Sequence, residues 1–112
     1  MGDYGPYYSP ENYGLEMIGN VNWDTNDYGF DMIVAWKRLE DGAFLWAADA
    51  GCSCPTPFEG HRLNDGIEPL TGLQEFHAML LEKDLAVVRR GYGSEGAALV
   101  NLVTRLHEAG LR

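Results

Sequence analysis

Asp49-Ala50-Gly51-Cys52-Ser53-Cys54-Pro55-Thr56-Pro57-Phe58-Glu59 divides a chain of 112 residues into a β-patterned first half and a helix-patterned second half. This stretch carries both cysteines and two of the five prolines. Each proline fixes φ and removes a backbone donor, and each biases the residue before it toward extended conformations. The segment therefore fits neither a helix nor a central strand. It must be a shaped loop, the kind of segment on which reactive and binding side chains concentrate.

Upstream, Tyr28 to Lys37 alternates strongly, with Phe30, Met32, Val34 and Trp36 on one face and Ile33 and Ala35 on the other. A strand that is apolar on both faces belongs in the middle of a sheet. Leu15 to Val21 alternates weakly and is joined to this strand by Asn22-Trp23-Asp24-Thr25-Asn26-Asp27. Asn and Asp side chains bond their own backbone, so this connection is read as a turn with Trp23 as a lid on the core. Ala43 to Ala50 forms a third strand beyond Glu40-Asp41-Gly42. A two-residue turn at Asp-Gly would set Trp36 opposite Ala47. A three-residue loop with Gly42 left-handed instead pairs Trp36 with Trp46, Arg38 with Phe44 and Val34 with Ala48 on one aromatic and aliphatic face, and is preferred.

Working outward to the N-terminus, residues 1–14 form a Tyr- and Gly-rich extended arm followed by one helical turn. In that turn Ser9 can cap, Pro10 suits the first helical position and Gly14 closes. Downstream of the loop, residues 60–69 read as irregular and polar. Thr71 can cap a helix, with Gln74 at capping-box spacing and an apolar stripe of Leu73, Phe76, Leu80, Leu81, Leu85 and Val88. Arg89 and Arg90 before Gly91 mark its end. Ser94 can cap a last helix whose Leu99, Leu102, Val103 and Leu106 sit at helical spacing up to Gly110. The expected fold is thus a single α+β domain over residues 1–112: arm 1–14, three-stranded antiparallel meander 15–50, Cys-Pro loop 51–69 and helical hairpin 70–112. Two C-terminal helices cover one face of the sheet, over a core of Phe30, Met32, Val34, Trp36, Phe44, Trp46, Phe76, Leu80, Leu99, Val103 and Leu106.

Composition narrows the function. Seventeen acidic against eight basic residues give a net charge of −9, which repels phosphate backbones and argues against nucleic acid as a partner. An acidic surface suits a basic protein partner or plain solubility. Residues 1–14 hold no basic residue and no apolar run, so neither a secretion leader nor a membrane span is expected, and the expected location is the cytoplasm. In a reducing cytosol, two cysteines one residue apart are thiols or metal ligands rather than a structural disulfide.

Chemistry-bearing constellations are sparse. Gly91-Tyr92-Gly93-Ser94-Glu95-Gly96 matches the dinucleotide-binding pattern G-x-G-x-x-G, but it follows a helical segment and no acid-bearing strand comes after it. Its glycines are therefore read as a helix C-cap and loop, with a strand over Leu85 to Arg89 as the alternative. Cys52, Cys54 and His61 could ligate zinc, although structural zinc sites place two to four residues between cysteines and a fourth ligand is missing, so no metal or other cofactor is expected. A cysteine nucleophile would need His61 or His77 with Asp49 as base and orienting group, an arrangement nothing in the spacing marks. Asp24 with Asp27, and Glu40 with Asp41, are read as turn formers and solvated surface.

The Trp-bearing hairpin with Asp-Gly, the run Asp49 to Glu59, the upstream Pro10-Glu11-Asn12-Tyr13-Gly14-Leu15 and the final helix together resemble a family of small uncharacterised proteins of actinobacteriophages and actinobacteria. The resemblance covers most of the chain and is carried chiefly by D-A-G-C-S-C-P-x-P-F-E. It implies a phage or bacterial origin and supplies no activity. The functional expectation is a non-enzymatic accessory protein that binds a host protein through Tyr7, Tyr8, Asp49, Cys52, Cys54, Phe58 and Glu59. The alternative is a thiol-dependent enzyme or zinc module built on Cys52, Cys54 and His61.

Overall fold

The computed structural model describes residues 5–24, 29–52, 57–63 and 65–112. A short 3-10 turn, Pro10–Tyr13, precedes strands β1 (Leu15–Asn22), β2 (Gly29–Arg38), β3 (Phe44–Cys52), β4 (Arg62–Leu63) and β5 (Gly66–Pro69), then helices α1 (Leu73–Arg89) and α2 (Gly96–Glu108). The strand order is β1-β2-β3-β5-β4. All neighbours are antiparallel except the two-residue β4, which runs parallel to β5. The α+β class and the central place of β2 hold. The meander, however, gains a fourth antiparallel strand where residues 60–69 were expected to be irregular. Only one buried apolar side chain, Ile67, marks β5, too short a signal to register as a strand without the β3 edge it pairs with.

The β2–β3 register differs from both hairpins considered. Lys37 pairs with Phe44, Trp36 with Leu45 and Ala35 with Trp46, so Trp36 and Trp46 point to opposite faces. Asp41 is the cause. Its carboxylate takes two bonds from the Arg38 guanidinium, at 2.9 and 2.8 Å, and a third from the Ala43 amide at 3.1 Å. Arg38 N–H donates to the Ala43 carbonyl at 2.7 Å and Gly42 N–H to the Arg38 carbonyl at 2.8 Å, closing a four-residue loop with Gly42 at φ 75°. One extra residue in the loop inverts the side-chain parity of β3.

Two cores result. Facing the helices lie Val21, Trp23, Ile33, Ala35, Leu80, Leu99, Leu102 and Leu106, with Trp46 half-buried against Phe76 at 5.9 Å between ring centres. On the opposite face lie Leu15, Phe30, Met32, Val34, Trp36, Leu45, Ala47, Phe58 and Ile67. The helices therefore do not cover Phe30, Met32, Val34 and Trp36 as expected. That layer is closed by the N-terminal arm, by Phe58 and by β5. β1 serves both cores because a bulge between Met17 and Gly19 switches its parity, with Leu15 and Met17 on one side and Val21 on the other. This is why its alternation reads as weak. Gly19 also lets α2 approach closely, since a Cβ there would stand 3.1 Å from Leu102 Cδ1.

Both helices end in Schellman motifs. Tyr92 N–H bonds the Val87 carbonyl and Gly91 N–H that of Val88, with Gly91 at φ 93°. Leu111 N–H bonds the Leu106 carbonyl and Gly110 N–H that of His107, with Gly110 at φ 115° and Leu111 buried. Residues 85–89 are thus helical. At the start of α1 the cap is Gly72 rather than Thr71, with no side-chain bond, and the first amide, Leu73, donates to the Arg112 carbonyl at 3.0 Å. The Thr71/Gln74 box is not formed, because the helix begins one residue later and puts Glu75, not Gln74, at the third position.

Candidate functional site

The arm and the Cys-Pro loop, far apart in sequence, meet over the second core. Gly5 takes φ 92°, and a Cβ on it would stand 2.7 Å from the Phe58 carbonyl oxygen and 2.8 Å from Glu59 Cα, so only glycine permits this approach of backbone to backbone. The next residue, Pro6, offers its carbonyl to the buried Trp36 indole N–H at 3.1 Å. Tyr7 then stacks on Phe58, centroids 6.1 Å apart and planes at 28°, and meets Tyr8 edge-on at 4.8 Å. Burial, reinforced by Tyr8, raises the Tyr7 phenol above its ordinary pKa.

Phe58 is the pivot. It is fully buried, crosses Trp36 at 5.7 Å and His61 at 5.0 Å, and its amide donates to Asp49 Oδ2 at 2.9 Å. His61 Nε2 lies 3.3 Å from the Ala48 carbonyl. Of the expected site residues, then, Tyr7, Tyr8, Asp49, Phe58 and Glu59 come together. Phe58 and Asp49 are spent on the loop's own shape, whereas Tyr8, 56% exposed, and Glu59 stand at the surface. Cys52 ends β3 opposite Gly29, while Cys54, Pro55, Asp27 and Tyr28 lie outside the described residues. Among the described residues no three His, Cys, Asp or Glu side chains are grouped to hold a metal ion. His77 is not part of this cluster. It lines a groove between α1 and α2 with Leu73, Gln74, Val103 and His107.

A second feature, not foreseen, lies at the α1–α2 connection. A cavity of about 390 Å³ is lined by Trp23, Asp24, Asp31, Val87, Arg90, Tyr92, Gly93 and Glu95. Its floor is tied down by Asp84, whose carboxylate accepts bonds from Trp23 Nε1 at 3.0 Å, the Glu95 amide at 2.7 Å and Ser94 Oγ at 2.7 Å. Ser94 Oγ in turn accepts the Gly96 amide at 3.1 Å, so Asp84 and Ser94 together serve the exposed amides at the start of α2. The Glu95 amide, then Trp23 and Ser94, hold Asp84 below the usual carboxylate pKa. Lys83 bridges to both Asp31 oxygens, at 2.9 and 3.0 Å, and rests 5.5 Å above the Trp23 ring. The glycine-rich stretch 91–96 is therefore a cap and a cavity rim. The available signal was Asp84 itself, an acid immediately before Leu85 of the α1 apolar stripe. The cavity lining carries three carboxylates, Asp24, Asp31 and Glu95, with the Arg90 guanidinium and the Tyr92 phenol.

The family model described as a domain of unknown function (DUF7574) matches residues 5–109. The chain belongs to this family. In this member the matched span begins at Gly5, the residue whose backbone meets the Cys-Pro loop, and runs to the end of α2. No curated protein and no solved structure matches the chain. Among the described residues, no helix is long and apolar enough to cross a membrane.

Proposed function

We propose that this domain is a non-catalytic binding protein, phage-encoded and acting in the bacterial cytoplasm, that engages a basic host protein through the surface where arm and Cys-Pro loop join. The observation behind this reading is the convergence of Tyr8 and Glu59 on a support of Gly5, Tyr7 and Phe58. An exposed aromatic and an exposed acid are thereby presented from backbone packed tightly enough to exclude a Cβ. Tyrosine supplies contact area at low entropic cost, and the net charge of −9 favours encounter with a positively charged partner.

Affinity capture from a bacterial lysate at low salt, with the full chain as bait and mass spectrometry as readout, tests the proposal. The expected result is a basic protein that elutes as salt rises and is lost with Tyr8→Ala/Glu59→Lys. A bait that recovers nothing, or a double variant that recovers the same protein equally well, would argue against the surface.

A further inference from the structure

The cavity at the α1–α2 connection brings together charges that the chain leaves unpaired. Arg90, the C-cap of α1, and Glu95, the N-cap of α2, both line it. Among the described residues neither side chain is in an ion pair or hydrogen bond, with the other or with any third group. The space around them is already shaped. The Tyr92 amide, bonded to the Val87 carbonyl, fixes the turn that carries Arg90 and Tyr92, while Asp84 holds the Glu95 amide at 2.7 Å and the Trp23 indole at 3.0 Å. Depth orders the lining. Trp23 and Val87 are buried, Asp24, Asp31 and Glu95 are partly buried, and Arg90, Tyr92 and Gly93 are exposed. Three carboxylates against one guanidinium leave the lining with two surplus negative charges, of which the Lys83 bridge to Asp31 offsets one. Lys83 also stands 5.5 Å above the Trp23 ring, so this corner of the fold already holds one cation between an indole face and a carboxylate.

We infer that the cavity binds a small organic cation that also carries a carboxylate: a guanidinium or ammonium joined to it through a short aliphatic chain, as in arginine or lysine. The cationic end enters toward Asp24 and Glu95, and the aliphatic chain lies against Trp23. The carboxylate meets the Arg90 guanidinium at the rim, whose planar fork can take it in two parallel bonds. A ligand with a single charge would leave either Glu95 or Arg90 without a partner. A basic amino acid supplies both charges, and its surplus positive charge matches the one negative charge that Lys83 does not offset. The cavity, about 390 Å³, falls near the lower end of the ~300–1,000 Å³ range of small-molecule sites, which suits a ligand of this size. With its rim contacts open to solvent, a Kd on the order of 0.1–1 mM is expected. The inference does not rest on the Tyr8/Glu59 surface, neither residue of which lines the cavity.

Isothermal titration calorimetry of the full chain with L-arginine, at fixed ionic strength and up to about 10 mM ligand, tests the site. Saturable binding is expected. It should be at least ~threefold weaker for L-citrulline, which lacks the guanidinium charge, and for agmatine, which lacks the carboxylate although it carries more positive charge. Arg90→Gln should weaken L-arginine at least ~threefold and leave agmatine no weaker, whereas Glu95→Gln should weaken both. The sign for Arg90→Gln separates a specific site from general attraction, because removing a positive charge from a chain of net charge −9 would otherwise strengthen the binding of any cation. Neither side chain makes a hydrogen bond among the described residues, so circular dichroism should show both variants folded. Should one fail to fold, the ranking of the three ligands on the unaltered chain still decides. N-acetyl-L-arginine identifies the source of the ligand: binding equal to that of L-arginine points to the C-terminal residue of a peptide, and a loss points to the free amino acid. No saturable binding in that range, L-citrulline or agmatine binding as tightly as L-arginine, or an Arg90→Gln variant that binds L-arginine undiminished overturns the inference.

Discussion

Phe58 carries a left-handed backbone, φ 62°, the sole non-glycine residue with positive φ among those described. Such a conformation costs roughly 1–2 kcal/mol for an L-residue, and here it is outweighed by complete burial against Trp36, Tyr7 and His61. Phe58→Ala removes the ring and keeps the strain, so a loss of about 3–5 kcal/mol is expected in urea unfolding. Phe58→Gly should be about as damaging as Phe58→Ala and no more, because glycine relieves the left-handed strain that alanine retains. A Gly variant far less stable than the Ala variant would count against strain at this position. Cys54→Ser should cost less than either. A loop held by zinc would reverse that order and show about one metal per chain by elemental analysis.

Among the elements, α2 is anchored by a side chain from α1. Asp84 accepts the Glu95 amide while holding Trp23 and Ser94, so one carboxylate joins the β1 end, α1 and the start of α2. Asp84→Ala should cost about 1–2 kcal/mol, the size of a lost helix cap with an added charged hydrogen bond. The pH dependence follows from the lowered pKa. A depressed native carboxylate stabilises the fold above the unfolded value near ~3.9 and loses that contribution as pH falls through the native value. The advantage of the wild type over Asp84→Asn in urea midpoint should therefore be present at neutral pH and fade below about pH 4. An advantage unchanged at pH 3 would exclude the carboxylate's charge as its source. Asp41, drawn down to about 2 by the Arg38 guanidinium and then the Ala43 amide, belongs to the exposed hairpin turn and sets register more than stability.

For the whole molecule, the consequence is a sheet with two buried faces, one closed by helices and the other by an arm. Removing residues 1–8 would strip Pro6 and Tyr7 from the second core and leave the Trp36 indole N–H without its acceptor. An unsatisfied buried donor costs about 1–3 kcal/mol, so together with lost burial a drop of roughly 10 °C or more in Tm is expected, accompanied by dye binding to the exposed face. An unchanged Tm would mean that the arm closes nothing. Reading the residues in order was enough to find β2 as the central strand, the two helices and the ends at Gly91 and Gly110, because two-sided alternation, helical spacing and left-handed glycines are local signals. The hairpin register was not legible, because it turned on Asp41 folding back to Arg38 and Ala43, which adds one residue to the loop and inverts every side chain after it. Nor were β5, the Gly5–Phe58 contact or the choice between the two apolar faces of α1. Periodicity reports that a face is apolar; only the packed chain decides whether a sheet, an arm or solvent meets it.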